Sequence, residues 1–395
     1  MKSSIAMNPQ ERNASMILAW IYALRMLGIF LLLPVFSLYA TQLSGGENKM
    51  WVGLAFGIYG LTQAMLQLPL GMASDRFGRK KIIYIGLIVF ALGSFLAAFA
   101  NDIVMLTIAR AIQGAGAVSA VVVALLADLT RPDVRTRAMS MIGMSIALSF
   151  SLSLMIGPTL EHYLGVSGIF MLTGVLVLSC IAIVYWFLPN PQQTLQNIHW
   201  HEFKDVFGQR NLWHLHFGIF AVHCAQMALF MVLPFILRDL MPSEQWWQLY
   251  LPATIIGIIL MVPAVLMAEV RHHMKGVLLW AIFLLVIVQF LLGYTGKTLW
   301  QLYGWLSLYF LGLNTVEAIL PSWVSKIANP KLKGTAMGIY NTAMSLGLFS
   351  GSLIGGWLLQ YFGTQAVFYF CSGLMLCWFL LVLPTAKPKI FQQAS

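Results

Sequence analysis

Twelve stretches of this chain run for about 20 residues or more with almost no charge, the length a helix needs to cross the hydrocarbon of a bilayer. They fall at 15–40, 51–73, 81–100, 103–129, 138–160, 166–188, 212–238, 248–269, 276–295, 299–325, 336–360 and 365–384. The runs are continuous and do not alternate, which favours helices over a membrane β-barrel. With 59% hydrophobic and 9% charged residues, the chain is far too apolar for a soluble globular protein of this size. The expected fold is an all-α polytopic membrane protein with twelve transmembrane helices.

The runs divide into two copies of six. Leu33-Pro34 in the first run answers Leu233-Pro234 in the seventh, at an offset of 200. Pro132 with Ala138-Met139 answers Pro330 with Ala336-Met337; Gly157 answers Gly355; Tyr163-Leu-Gly165 answers Tyr361-Phe-Gly363, all three at an offset of 198. The domains expected are an N-terminal six-helix bundle over 1–188, a cytoplasmic linker over 189–211, and a C-terminal six-helix bundle with a short tail over 212–395. Parallel repeats of this kind place a small-molecule site at their interface, near the middle of the membrane.

The net charge of +10 invites a nucleic-acid reading, but the bases sort by side. Alternate loops hold eighteen of them, including Arg76, Arg79, Lys80 and Lys81; the intervening loops hold only Lys49, Arg238 and Lys297. That bias places both termini in the cytoplasm. The first apolar run is too long for a cleavable signal and contains Arg25, so it is read as the first span. Cys180, Cys224, Cys371 and Cys377 all fall inside runs and are read as packing residues. His199, His201, His214 and His216 lack a completing Cys or acid, so no metal is expected. No phosphate-cradling loop is present, so ATP is not the direct energy source.

Between the second and third runs lies Gly71-Met-Ala-Ser-Asp75-Arg-Phe-Gly-Arg79-Lys80-Lys81. This pattern resembles the signature loop of the major facilitator superfamily. Gly71 would let a partner helix approach, and the resemblance makes that partner the eleventh span, near Gly334-Thr335. Asp75 can pair with Arg79, and Asp128 faces Arg131 and Arg135; together they are expected to form a conformational lock. In the second copy Asp75 aligns with Glu269, Arg79 with His273 and Lys81 with Lys275. Leu106, Arg110, Gln113, Gly114 and Gly116 resemble the superfamily's fourth-span motif. Leu27-Gly28 with Pro34-Val35, and Gly157-Pro158, resemble drug/proton antiporter motifs, although Glu161-His162 stands where those antiporters carry paired glycines.

The candidates for proton coupling are Glu317, His223, Arg25 and Arg110. Glu317 lies roughly 12 Å and His223 roughly 16 Å from the inner ends of their runs. An uncompensated carboxylate at that depth is costly and is expected to trade a proton. Tyr59, Gln63 and Gln67 recur every four residues as one polar stripe; with Gln113 and Asn314 they are the candidates for lining the substrate cavity. Nearly the whole chain resembles bacterial inner-membrane exporters of the YajR type, through Ser74-Asp75-Arg76, Ala124 to Arg131, Glu317 to Ser322 and Lys333 to Gly338. The soluble domain often found after the last span in that type is not expected here, since the sequence stops at Ser395.

The resemblance implies a multi-pass protein of the bacterial inner membrane, acting as a monomer on a small-molecule substrate. It would export small amphipathic molecules against protons, with the proton gradient as energy source and no cofactor. Uptake driven by protons is the alternative on the same fold. A non-transporting receptor or an intramembrane enzyme is a third class, disfavoured because the runs hold no Ser/His/Asp set, no H-E-x-x-H and no paired aspartates.

Overall fold

The computed structural model describes residues 6–189, 210–271, 273–295, 298–328 and 333–385. Most of the expected linker, with His199, His201 and Lys204, lies outside them. The described residues form twelve rods. Span 1 is Pro9–Phe30, continued after a break by Phe36–Ala40. Span 2 is Lys49–Phe77, span 3 is Arg79–Ala98, and span 4 is Ile103–Ala115 continued by Ser119–Asp128. Spans 5 and 6 make up Pro132–Phe187, folded back at Gly165. Spans 7 to 12 are Arg210–Arg238, Trp247–Glu269, Met274–Thr295, Leu299–Ile327, Lys333–Tyr361 and Gly363–Val382.

Local chemistry explains the boundaries. Asn8 and Glu11 form a capping box at the start of span 1: the Glu11 N–H donates to the Asn8 side chain at 2.7 Å, and the Asn8 N–H to Glu11 at 2.9 Å. Asn48, Asp102 and Thr298 accept from the first turns of spans 2, 4 and 10. Pro34 sits in the break of span 1, where its missing N–H would interrupt the ladder. Its counterpart Pro234 is carried inside an unbroken span 7. Gly165 and Gly363 both have left-handed φ, 65° and 81°, and each opens the last span of its half, so the repeat is visible at the backbone turn.

Among the described residues, nine helices are long and apolar enough to cross a membrane, and the one of 55 residues is the two crossings bent at Gly165. The remaining two rods, spans 2 and 10, have 29 residues each and carry Tyr59, Gln63, Gln67, Asn314 and Glu317. With an even number of crossings, the first and last described residues lie on one side, called here the terminal face.

The two halves meet where the repeat requires. Span 2 packs on span 11, and its repeat-mate, span 8, packs on the span 5–6 rod. The contact is tight at the face opposite the termini. A Cβ on Gly53 would stand 2.3 Å from the Ser352 carbonyl oxygen, and one on Gly356 2.4 Å from that of Lys49. The Lys49 N–H also donates to Gln360 Oε1 at 2.8 Å, and Ser243 to Glu161 at 3.3 Å. Toward the terminal face the same helices part: a Cβ on Gly338 would first meet Leu68 at 3.7 Å, and one on Gly71 would meet nothing within 4 Å. The cleft between the halves therefore opens on the terminal face. The approach expected at Gly71 is not made in this conformation, because the helices diverge before reaching it.

One alignment within the repeat changes. Lys80 donates to the Leu188 carbonyl at the end of span 6, and Lys275 donates to the Leu383 carbonyl at the end of span 12. Each lysine binds the last carbonyls of its half, where the helix dipole favours a cation. The counterpart of Lys275 is thus Lys80, and not Lys81. Counted from the aligned acids, the spacing differs by one residue: Lys80 follows Asp75 by five and Lys275 follows Glu269 by six. Gly78 alone joins spans 2 and 3, with φ 100°.

Candidate functional site

Arg79 follows that one-residue turn, which swings its side chain back along span 2 and across to span 4. Its three nitrogens find three partners. Nη2 lies 2.5 Å from Asp75, Nε donates to Asp128 at 2.9 Å, and Nη1 donates to Ser74 Oγ at 2.7 Å. Asp128 does not face Arg131, as the sequence led one to expect. Arg131 reaches the other way, to Glu11, with Nε at 2.7 Å and Nη2 at 3.0 Å. Arg135 donates to the Ala127 carbonyl at 2.9 Å. Ser74 and Glu11 were missed; the signal for Glu11 was its capping-box spacing from Asn8.

The second half carries a pair at the corresponding place, with the acid kept and the charge of its partner reversed. Glu269, at the end of span 8, accepts from Lys326 and, at 2.6 Å, from Ser322, both on span 10. Lys326 stands at the position of Asp128 in the repeat, 198 residues on. The clasp that joins span 2 to span 4 thus has a counterpart between spans 8 and 10, in which a lysine stands in place of Asp128 and binds the span 8 carboxylate directly.

Deeper in the first half, Arg25 and Arg110 are each 2% exposed. Arg25 donates to Ser119 at 2.6 Å and to Tyr59 Oη at 2.8 Å, and its guanidinium lies 5.4 Å from the Phe90 ring. Arg110 donates to Gln113 and, at 3.3 Å, to the Phe56 carbonyl, and it lies 5.1 Å from the Tyr59 ring. Gln113 passes the chain on to Ser94 at 2.8 Å. Hydrogen bonds and ring faces, with no carboxylate in direct contact, hold these two cations. Tyr59, Gln63, Gln67 and Gln113 are all buried. Their burial sets them apart from the open cleft that the sequence stripe had implied; Tyr59 and Gln113 bond within the first bundle, whereas both polar atoms of the Gln67 amide are buried without a partner. Helix close-packing explains the difference: a Cβ on Gly114 would stand 2.3 Å from the Tyr59 carbonyl oxygen, so span 4 covers the stripe.

In the second half, His223 of span 7 and Glu317 of span 10 meet at 3.6 Å between Nε2 and Oε1. Glu317 lies ten residues before Ile327, roughly 15 Å up the helix. Its side chain is 39% exposed against 11% for His223, so the cleft reaches the carboxyl. The other His223 nitrogen lies 3.1 Å from the Ile219 carbonyl oxygen, which orients the ring. Asn314 is one turn from Glu317, with its amide nitrogen buried and unpartnered. Among the described residues, Glu317 is the one acid in the middle of a span. A carboxyl and an imidazole this close can hold one proton between them, or lose it to water from the cleft. No cluster of His, Cys, Asp and Glu fit to hold a metal occurs among the described residues.

Sequences of the Major Facilitator Superfamily match residues 18–347 and 271–394. The inner membrane transport protein YajR of Escherichia coli (strain K12) is 39% identical over 386 residues, covering 96% of this chain and 85% of that one. The multidrug resistance protein MdtH of Photorhabdus laumondii is 26% identical over 340 residues, covering 84% and 83%. Among solved structures, a bacterial homolog to the human lysosomal transporter Spinster, inward-facing and occupied, superimposes with a TM-score of 0.79 at 13% identity, over 98% and 100% of the two chains. The human organic anion transporter MFSD10 gives 0.71 at 22% identity, over 95% and 100%. At such identities the likeness to the solved structures is one of fold.

Proposed function

Because this chain belongs to the major facilitator superfamily and is a multi-pass membrane transporter, we propose that it exports small amphipathic molecules in exchange for protons, by alternating access. The observation that carries the reading is the His223–Glu317 pair. It is an ionisable couple in mid-membrane, reachable from one face while the other is shut. A proton entering from the far side would neutralise Glu317, and its departure into the terminal-face cleft would restore the charge. The two protonation states favour different packings of the halves, which is what a driven cycle requires. The proton gradient supplies about 2.3 kcal/mol per charge per 100 mV, plus its pH component.

The terminal face is read as cytoplasmic, on the eighteen-to-three sorting of bases. The membrane is read as the bacterial inner membrane, on the name that the YajR relative bears. Export is supported by the MdtH relative, a multidrug resistance protein. Proton-driven uptake is the second reading, favoured by Glu161 and His162, which stand where antiporters carry glycines and bond across the halves to Ser243 and Glu244.

The test begins by comparing the metabolites extruded by cells with and without the protein. A molecule so found is then loaded into proteoliposomes under an imposed pH gradient. Export against protons moves it uphill, opposite to the proton flow. Movement in the same direction as the protons establishes uptake, and movement indifferent to the gradient removes proton coupling altogether.

A further inference from the structure

Four phenylalanines converge above the His223–Glu317 pair. Phe230 lies seven residues after His223 on span 7, and Phe310 lies seven residues before Glu317 on span 10. Seven residues are close to two helical turns, roughly 10 Å, so each ring sits nearly in line with its titratable partner. The two helices run in opposite directions, so both displacements point to the face away from the termini. Between these rings stands Phe150, contributed by span 5 of the other half. Its centroid is 6.3 Å from Phe230 at 84° and 6.2 Å from Phe310 at 69°, edge-to-face in both cases. Phe30 of span 1 backs it at 5.3 Å and 88°.

We propose that Phe150 is the moving element of a hydrophobic gate that seals the Glu317–His223 pocket from the opposite face. This rests on the alternating-access reading above and adds the part that shuts one side. The Glu317 side chain below the rings is 39% exposed, and the halves part toward the terminal face, where a Cβ on Gly71 would meet nothing within 4 Å. Phe150, Phe230 and Phe310 belong to one continuous apolar core. A constriction lined by such rings excludes water without any polar contact, and so interrupts a path for protons as well as solutes. Phe150 is held by Phe30 on its own half, whereas its contacts with Phe230 and Phe310 cross between halves. When the halves rock apart at the opposite face, the cross-half contacts break and the backing contact survives. Phe150 is therefore withdrawn with its bundle, and the pocket is exposed to the far side.

The test places one reporter thiol in the pocket. The four native cysteines are changed to Ala and Asn314→Cys is introduced. Sealed, oriented vesicles then meet a membrane-impermeant maleimide on one face at a time, with neither substrate nor pH gradient. With Phe150 intact, the reporter reacts from the terminal face and is protected from the opposite face. Phe150→Ala should raise opposite-face labelling roughly tenfold, the population shift expected from losing two ring pairs. Phe150→Leu, which keeps bulk but not the ring edges, should raise it less. Phe170→Leu, a buried ring of span 6 outside the cluster, should leave it unchanged. If Phe150→Ala and Phe150→Leu both leave opposite-face labelling at its original rate while terminal-face labelling shows an intact pocket, the gate lies elsewhere. An equal rise with Phe170→Leu means general loosening and also overturns the assignment. The readout involves no proton, so a failure of proton coupling at Glu317 would leave the gate standing, and the reverse holds too.

Discussion

The imidazole of His223 stands 3.6 Å from the carboxyl of Glu317, and the two side chains come from spans 7 and 10 of the same half. Rocking of the halves therefore leaves the couple intact and changes only the water that reaches it. Glu317→Gln removes the titration and keeps the shape. The variant is expected to exchange substrate across the membrane but not to concentrate it. Under a gradient of one pH unit, one-for-one coupling sustains about a tenfold substrate ratio in the parent, because one unit is worth about 1.4 kcal/mol; the variant should settle near equality. A variant that still concentrates substrate would remove Glu317 from the coupling.

The clasp at the terminal face depends on the fork of Arg79, whose three nitrogens serve Asp75, Asp128 and Ser74. A lysine keeps the charge but cannot span three partners. Arg79→Lys is expected to lower the melting temperature in detergent and to slow transport severalfold. A double-mutant cycle between Arg79 and Asp128 should show a coupling of about 0.5–3 kcal/mol, the range for residues of one charged network. Additive single effects would mean that the clasp bears no shared load.

Closure at the opposite face relies on backbone meeting backbone at Gly53, where an added Cβ would stand 2.3 Å from the Ser352 carbonyl oxygen. Gly53→Val forces spans 2 and 11 apart at that end only. The protein should still fold, since the clash lies between halves. Transport should stop, and the Asn314→Cys reporter should become reactive from the opposite face. Normal transport by Gly53→Val would mean that this approach is not needed in the cycle.

The twelve rods and the family were readable because both depend on local pattern: runs of apolar residues and a charged loop of fixed spacing. The turns of the repeat were readable for the same reason, since Gly165 and Gly363 each need a backbone that glycine adopts freely. Partnerships across the chain were less visible. Arg131 lies next to Asp128 in sequence yet binds Glu11, 120 residues away, because the capping box already holds that carboxylate at the mouth of span 4. The stripe of Tyr59, Gln63 and Gln67 has the periodicity of a cavity wall, but periodicity cannot tell a cavity from a neighbouring helix. The clasp of the second half was only half visible: Glu269 aligns with Asp75, but its partner Lys326 stands where the first half carries the acid Asp128.

The Glu11–Arg131 pair offers a test that needs no substrate. Arg131 holds the Glu11 carboxylate by side-chain hydrogen bonds, with Nε at 2.7 Å and Nη2 at 3.0 Å. Protonating that carboxylate removes the ion pair, so the contribution of the pair is present near neutral pH and is lost in acid. Glu11→Gln keeps an acceptor for the Asn8 N–H, so the capping box survives and only the charge is removed. The parent should melt higher than the variant near neutral pH. The gap should narrow as the pH falls through the acid range and vanish once the carboxylate is protonated, as measured by thermal unfolding of both proteins in the same detergent. A gap of constant size across that window would show that the carboxylate contributes shape and not charge, and that the first turn of span 1 is held to span 4 by other contacts.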